Sequence, residues 1–162
     1  MNEMIYIGKT VSTFGIKGEL KVISDFEYCD RAYQIDKKIL INNIEHVISG
    51  IRYHKNYVLL KIDNLNNIND ILKYVGFNIY IKRIDLGLKE DEYLYKDLIN
   101  SEVIDTDNTK LGKVIEILNG NNVLIKVKGT KEFFIPLIAN YVSKFDLNKK
   151  ILYTKNAKEL IF

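Results

Sequence analysis

The chain has 162 residues, 47% hydrophobic and 28% charged, with a formal net charge of +3 and a pI near 8.7. That composition excludes a disordered chain and leaves one domain or two small ones. Acidic and basic residues nearly balance in each half, so neither half is a strongly basic module. Any contact with nucleic acid must then be local, or be reached through a protein partner.

The opening stretch, Met1 to Ile7, carries Glu3 and lacks the basic start and the apolar run of an export signal. No stretch approaches the roughly 20 apolar residues of a membrane helix. Cys29 is the sole cysteine, which rules out an intrachain disulfide and a cysteine-cluster metal site. A cytoplasmic protein is the expectation, with no membrane contact.

In chain order, β-branched and aromatic runs between Gly, Asn and Asp predict strands at Met4–Thr13, Glu19–Ser24, Lys38–Ile41, His46–Tyr53 and Tyr57–Ile62. Asn42-Asn43 suits a tight hairpin because Asn tolerates positive φ, and His54-Lys55-Asn56 is a second turn. One short helix follows, capped by Asn67 or Asn69, with Ile68, Ile71, Leu72 and Val75 as its apolar stripe and Gly76 past its end. A strand at Phe77–Lys82 completes the first half. The segment from Ile84 to Glu92 mixes Gly with acids and breaks the strand rhythm, as a linker does. The second half repeats the pattern at Glu102–Asp105, Lys110–Asn119, Val123–Lys128, Glu132–Ile135 and Lys150–Thr154. Its turns fall at Asp107-Asn108 and Gly120-Asn121-Asn122, and Pro136 closes a strand. Repeated short strands with short turns predict small barrels or sandwiches.

Several motifs carry less than they promise. Gly8-Lys9-Thr10 resembles the end of a phosphate-binding loop, but Glu3 stands where that loop needs Gly and a strand stands where it needs a helix. Gly15-Ile16-Lys17-Gly18 matches a GXXG clamp for RNA backbone, yet strands rather than helices flank it. It is a tight turn, beside which Lys17 and Lys21 can reach phosphate. Asp105 to Glu116 mimics a calcium loop, with Lys110 at the position that requires Gly. His46 and His54 fit no metal spacing and are expected to be structural or surface residues. The acids at 90–92 read as a solvated surface. No Ser, Cys or Thr sits in a recognisable nucleophile context. Tyr93-Leu94-Tyr95, taken as a strand, can have at most one face fully buried by one core; two readings stand, packing of Tyr93 or Tyr95 between the domains and anchoring of a partner.

Two stretches carry a family resemblance. Ile7-Gly8-Lys9-Thr10-Val11 with Phe14-Gly15-Ile16-Lys17-Gly18-Glu19-Leu20-Lys21-Val22 resembles the opening pattern of the RimM family, with Phe14 where a histidine is frequent. Glu92-Tyr93-Leu94-Tyr95-Lys96-Asp97-Leu98-Ile99, then Glu102-Val103 and Leu111-Gly112-Lys113-Val114, is similar to the start of that family's PRC-barrel domain. There Leu94 replaces a second aromatic, Tyr95 a common Trp, and Asn100 a usual Gly. Phe134-Ile135-Pro136 and the tail from Leu152 to Leu160 agree in order and spacing.

The resemblance implies an all-β chain of two small β-barrels with one or two short helices. The first is a six-stranded barrel of the translation-factor type over residues 1–84. A linker at 85–91 and a PRC barrel at 92–162 follow. It further implies a non-enzymatic factor for assembly of the small (30S) ribosomal subunit. Such a factor binds the immature particle through ribosomal protein S-nineteen and supports maturation of the 16S rRNA head region. No cofactor, metal or catalytic residue is expected, and a monomer is. Tyr93, Leu94 and Tyr95 are the candidate partner-binding residues. Gly15, Lys17, Gly18 and Lys21 are the candidate loop facing the particle or its RNA. The rival readings are a PRC-barrel adaptor outside translation, since a fold alone does not assign function, and an rRNA-processing enzyme.

Overall fold

A computed structural model describes residues 3–162; Met1 and Asn2, which open the predicted first domain, lie outside the described residues. The chain separates into two units after Leu88.

The first unit is built on β1 (Met4–Phe14), β2 (Glu19–Ile23), β3 (Lys38–Ile41), β4 (Ile44–His54), β5 (Tyr57–Ile62) and β6 (Asn78–Lys82). These strands form a closed barrel in the order β1-β2-β5-β4-β3-β6. Closure removes the free strand edges that would otherwise invite aggregation. Alternation sets the faces. In β2, Leu20 and Val22 are buried while Glu19, Lys21 and Ile23 point away from the core. Asn42 and Asn43 both take positive φ, as a two-residue hairpin requires. The expected helix is a single turn, α2 (Ile68–Ile71), continued by a 3-10 turn at Leu72–Tyr74. The Asn67 side chain accepts the Asn69 N–H at 2.9 Å as its cap.

His46 belongs to the interior. Its Nδ1 lies 2.7 Å from the Asp63 carboxylate and its ring meets Tyr74 edge-on at 4.6 Å. A further one-turn helix, α1 (Cys29–Ala32), was not visible in the sequence because four residues carry no periodicity. It is followed by buried Tyr33, whose hydroxyl donates to the Ile7 carbonyl at 2.7 Å.

The second unit holds α3 (Tyr95–Leu98) and a six-stranded sheet. Its strands are β7 (Glu102–Asp105), β8 (Thr109–Leu118), β9 (Leu124–Lys128), β10 (Glu132–Pro136), β11 (Val142–Asp146) and β12 (Ile151–Thr154). The order is β10-β9-β8-β7-β12-β11, antiparallel throughout except for β7 beside β12. Leu98, Val103, Val114, Ile125, Ile135 and Leu152 are fully buried in its core. Gly112 lies at a register shift between β7 and β8 with φ +137, where a Cβ would come within 2.3 Å of the Lys128 carbonyl oxygen. Only glycine fits that approach.

Buried Asp105 ties the C-terminal tail to the sheet. Its carboxylate accepts from the Thr154 hydroxyl at 2.8 Å and from the Ala157 and Lys158 N–H groups. The strand β11 was not anticipated. A register irregularity between Val142 and Lys144 breaks the two-residue alternation that marks a strand in sequence.

The mostly β architecture with few short helices is the one expected. The strand character assigned to Tyr93-Leu94-Tyr95 is not. Leu94 precedes α3, its N–H donates to the Asp97 carboxylate at 2.8 Å, and Tyr95 is the first helical residue. A carboxylate reaching back over the first turn makes a helix start of this segment, so the alternating-face argument does not apply to it.

Candidate functional site

In the N-terminal barrel, the turn from Gly15 to Gly18 joins β1 to β2. Gly15 has φ +64 with open space around it, whereas Gly18 has φ +89 and is buried against Leu65 and Asn66. The Ile68 N–H donates to the Ile16 carbonyl at 3.1 Å. The turn is therefore braced from below and holds Ile16 and Lys17 out in solvent. Gly18, expected to face a partner, instead allows the turn to seat. The outward pair is Ile16, 74% exposed, and Lys17.

Beside this turn the barrel surface combines rings with cations. The register sets Phe14 opposite Glu19, Lys21 and Arg52 on either side of Leu59, and His54 opposite Tyr57. Cross-strand neighbours on one face touch, and diagonal ones come within reach of long side chains. The Lys21 ammonium accordingly lies 3.9 Å from the Tyr57 ring centre. The Arg52 guanidinium stands 5.4 Å from the Phe14 ring, which packs against His54 at 5.0 Å. Glu19 accepts two hydrogen bonds from Arg52, at 2.7 and 2.8 Å. That guanidinium holds the Glu19 carboxyl below the usual range, with Lys61 and Lys17 adding to the effect. Lys17 thus lies within electrostatic reach of Glu19, while Lys21 lies over the Tyr57 ring. Phe14, Arg52, His54 and Tyr57 were missed as a group. Their signal was present in the turn at 54–56, because pairing β4 with β5 through it forces His54 opposite Tyr57.

In the C-terminal unit, Tyr93 is half-buried against the core and meets Phe145 edge-on at 5.2 Å. It lines an open groove of about 410 Å³ with Leu137, Ile138, Val142, Lys144 and Phe145. Ile138, 50% exposed, is its most accessible large apolar side chain. Tyr95 is half-buried at the start of α3 and is not among the groove residues. Leu94, expected to add apolar area for a partner, is only 1% exposed and serves the interior instead. The structure therefore separates the three: Tyr93 at the groove, Leu94 inside, Tyr95 at a helix start. Leu137 to Phe145 went unrecognised because the strand that carries part of it, β11, is irregular.

Among the described residues, no three His, Cys, Asp or Glu side chains gather as a metal would require, and no helix is long and apolar enough to cross a membrane.

Residues 5–86 match the RimM N-terminal domain and residues 90–161 match the PRC-barrel domain. The ribosome maturation factor RimM of Staphylococcus haemolyticus is 39% identical over 91% of this chain and 93% of its own length. The protein of the same name from Staphylococcus aureus is 39% identical over 93% of this chain and 95% of its own. A crystal structure of a Pseudomonas aeruginosa protein carrying the RimM name is 22% identical, covering 97% of this chain and 99% of that one at a TM-score of 0.47. With two domains matched in order and relatives aligned over nearly their full length, the chain belongs to the RimM family.

Proposed function

We propose that this chain is a ribosome maturation factor that acts by binding and catalyses no covalent change. The observation that carries the reading is the match of both domains, in order, to relatives bearing that name. In this reading the C-terminal groove at Tyr93 and Ile138 holds ribosomal protein S-nineteen. The N-terminal barrel, through Lys17 on its braced turn and Lys21 in the adjoining β2, meets the head of the immature small subunit and supports maturation of its 16S rRNA. Two modest contacts on one chain raise the effective concentration of each, so neither has to be tight alone. That suits a factor that leaves once assembly ends. It also agrees with the small net charge, because a protein-docked factor needs few phosphate contacts.

The test is sedimentation of the full chain with small-subunit precursors and with finished subunits. Binding to precursors alone is expected. Ile138→Glu, which puts a charge on the exposed groove wall, should abolish capture of ribosomal protein S-nineteen while leaving the circular dichroism spectrum unchanged. If the parent protein sediments with neither kind of particle, the reading fails.

A further inference from the structure

We infer that the outer face of the N-terminal barrel around Phe14, Arg52 and Tyr57 is a stacking site for unpaired RNA nucleotides. This deepens, and rests on, the reading of that barrel as the part that meets the immature particle.

The face is built rather than incidental. In β5, Val58 and Leu60 turn into the barrel, so alternation sends Leu59 outward, yet Leu59 is fully buried. Lys21 and Arg52 stand opposite it on either side, and their long apolar stems suit them to cover it. A leucine floor with cations and rings above it is a second, small packed layer outside the core.

The chemistry of that layer is specific. Arg52 offers a planar cation whose side chain is 56% exposed, and the two bonds from Glu19 fix the plane in advance. A guanidinium tethered at its edge can still offer a face for stacking. Phe14 stands beside it and His54 beside Phe14. The Tyr57 ring is held by the ammonium of a long, flexible lysine. A base can take over such a face while the ammonium moves to the adjoining phosphate. Lys17 and Lys61 lie close enough to act on the Glu19 carboxylate alongside Arg52, so one acid faces three cations on a protein whose overall charge is only +3. Positive charge is concentrated where the rings are.

Alternating rings and cations match single-stranded nucleic acid, which presents base faces and phosphates together. A duplex hides its base faces in its own stack. An acidic protein segment would use the cations and leave the rings without purpose.

Fluorescence anisotropy of a labelled oligouridine of about ten nucleotides, against a blunt RNA duplex with the same number of phosphates, tests the inference on the full chain. The unpaired strand should bind at least about tenfold more tightly. Arg52→Lys, which retains the charge and loses the plane, should weaken the oligouridine by about tenfold with the salt slope nearly unaltered. The chain has no tryptophan, so Tyr57→Trp supplies a lone indole whose emission should fall as a base covers it, and this reports on the site without removing it. Equal affinity for duplex and single strand, or an Arg52→Lys variant that binds like the parent, would reduce the face to a general electrostatic patch and overturn the proposal. Preference for an acidic peptide over the oligouridine would overturn it as well. Parallel sedimentation separates the two claims. A parent that binds precursor particles but not oligouridine defeats the stacking site alone, whereas a parent that ignores the particles defeats the maturation role.

Discussion

Replacing Gly18 with alanine should cost the N-terminal barrel far more than the same change at Gly15, although both glycines sit in one turn at positive φ. At Gly15, φ is +64 and an added Cβ meets nothing within 4 Å. The cost there is conformational alone, about 1 kcal/mol for an L residue in the left-handed region. At Gly18, φ is +89 and the new Cβ would lie 2.5 Å from the Leu65 carbonyl oxygen and 3.0 Å from the backbone of Asn66. Backbone cannot rotate aside as a side chain does, so an overpacking cost of about 1–3 kcal/mol adds to the first. The total is about 3 kcal/mol. For a unit of this size that corresponds to a drop in Tm of roughly 15 °C, against roughly 5 °C for Gly15→Ala. Because two units share the chain, the measurement has to be local. Urea titration followed through the backbone amide signals of Val22 and Leu60 reports on the barrel, with Val127 of the other unit as reference. Equal midpoint shifts for the two variants would refute the claim that the turn is braced against residues 65–66.

Other outcomes follow from the same geometry. Asp105→Ala removes the acceptor for Thr154, Ala157 and Lys158, and should cost the C-terminal unit about 3 kcal/mol, read as a loss of amide protection in residues 154–160. Glu19 has a lowered pKa in the folded protein, so its pairing with Arg52 stabilises fully above the ordinary value of 4.5 and is lost as pH falls through the lower folded value. The difference in Tm between the parent and Glu19→Gln should therefore be complete at neutral pH and close in acid; a difference that persisted in acid would point to packing instead. Lys17→Ala combined with Lys21→Ala should weaken binding to immature small subunits and reduce the slope of log affinity against log salt by about 2. An unaltered slope would leave those lysines without a phosphate contact.

The sequence by itself determined the local structure. The strands at Glu19–Ile23 and Tyr57–Ile62, the Asn42-Asn43 turn and the Asn67 cap are each decided by a few adjacent residues, and each is found where expected. Only the tertiary structure decided which side chains share a surface. Tyr93, Leu94 and Tyr95 are neighbours in sequence, but a carboxylate two residues past Tyr95 starts a helix there and sends the three to different places. Phe14 is far in sequence from Arg52 and Tyr57, and the pairing of β2 with β5 sets its hairpin beside theirs on one face. Gly18 needed the positions of Leu65 and Asn66 before its burial could be known. Local preference is set by a residue and its immediate neighbours, whereas a binding surface depends on strand register, which a long-range pairing fixes and a short window of sequence cannot contain.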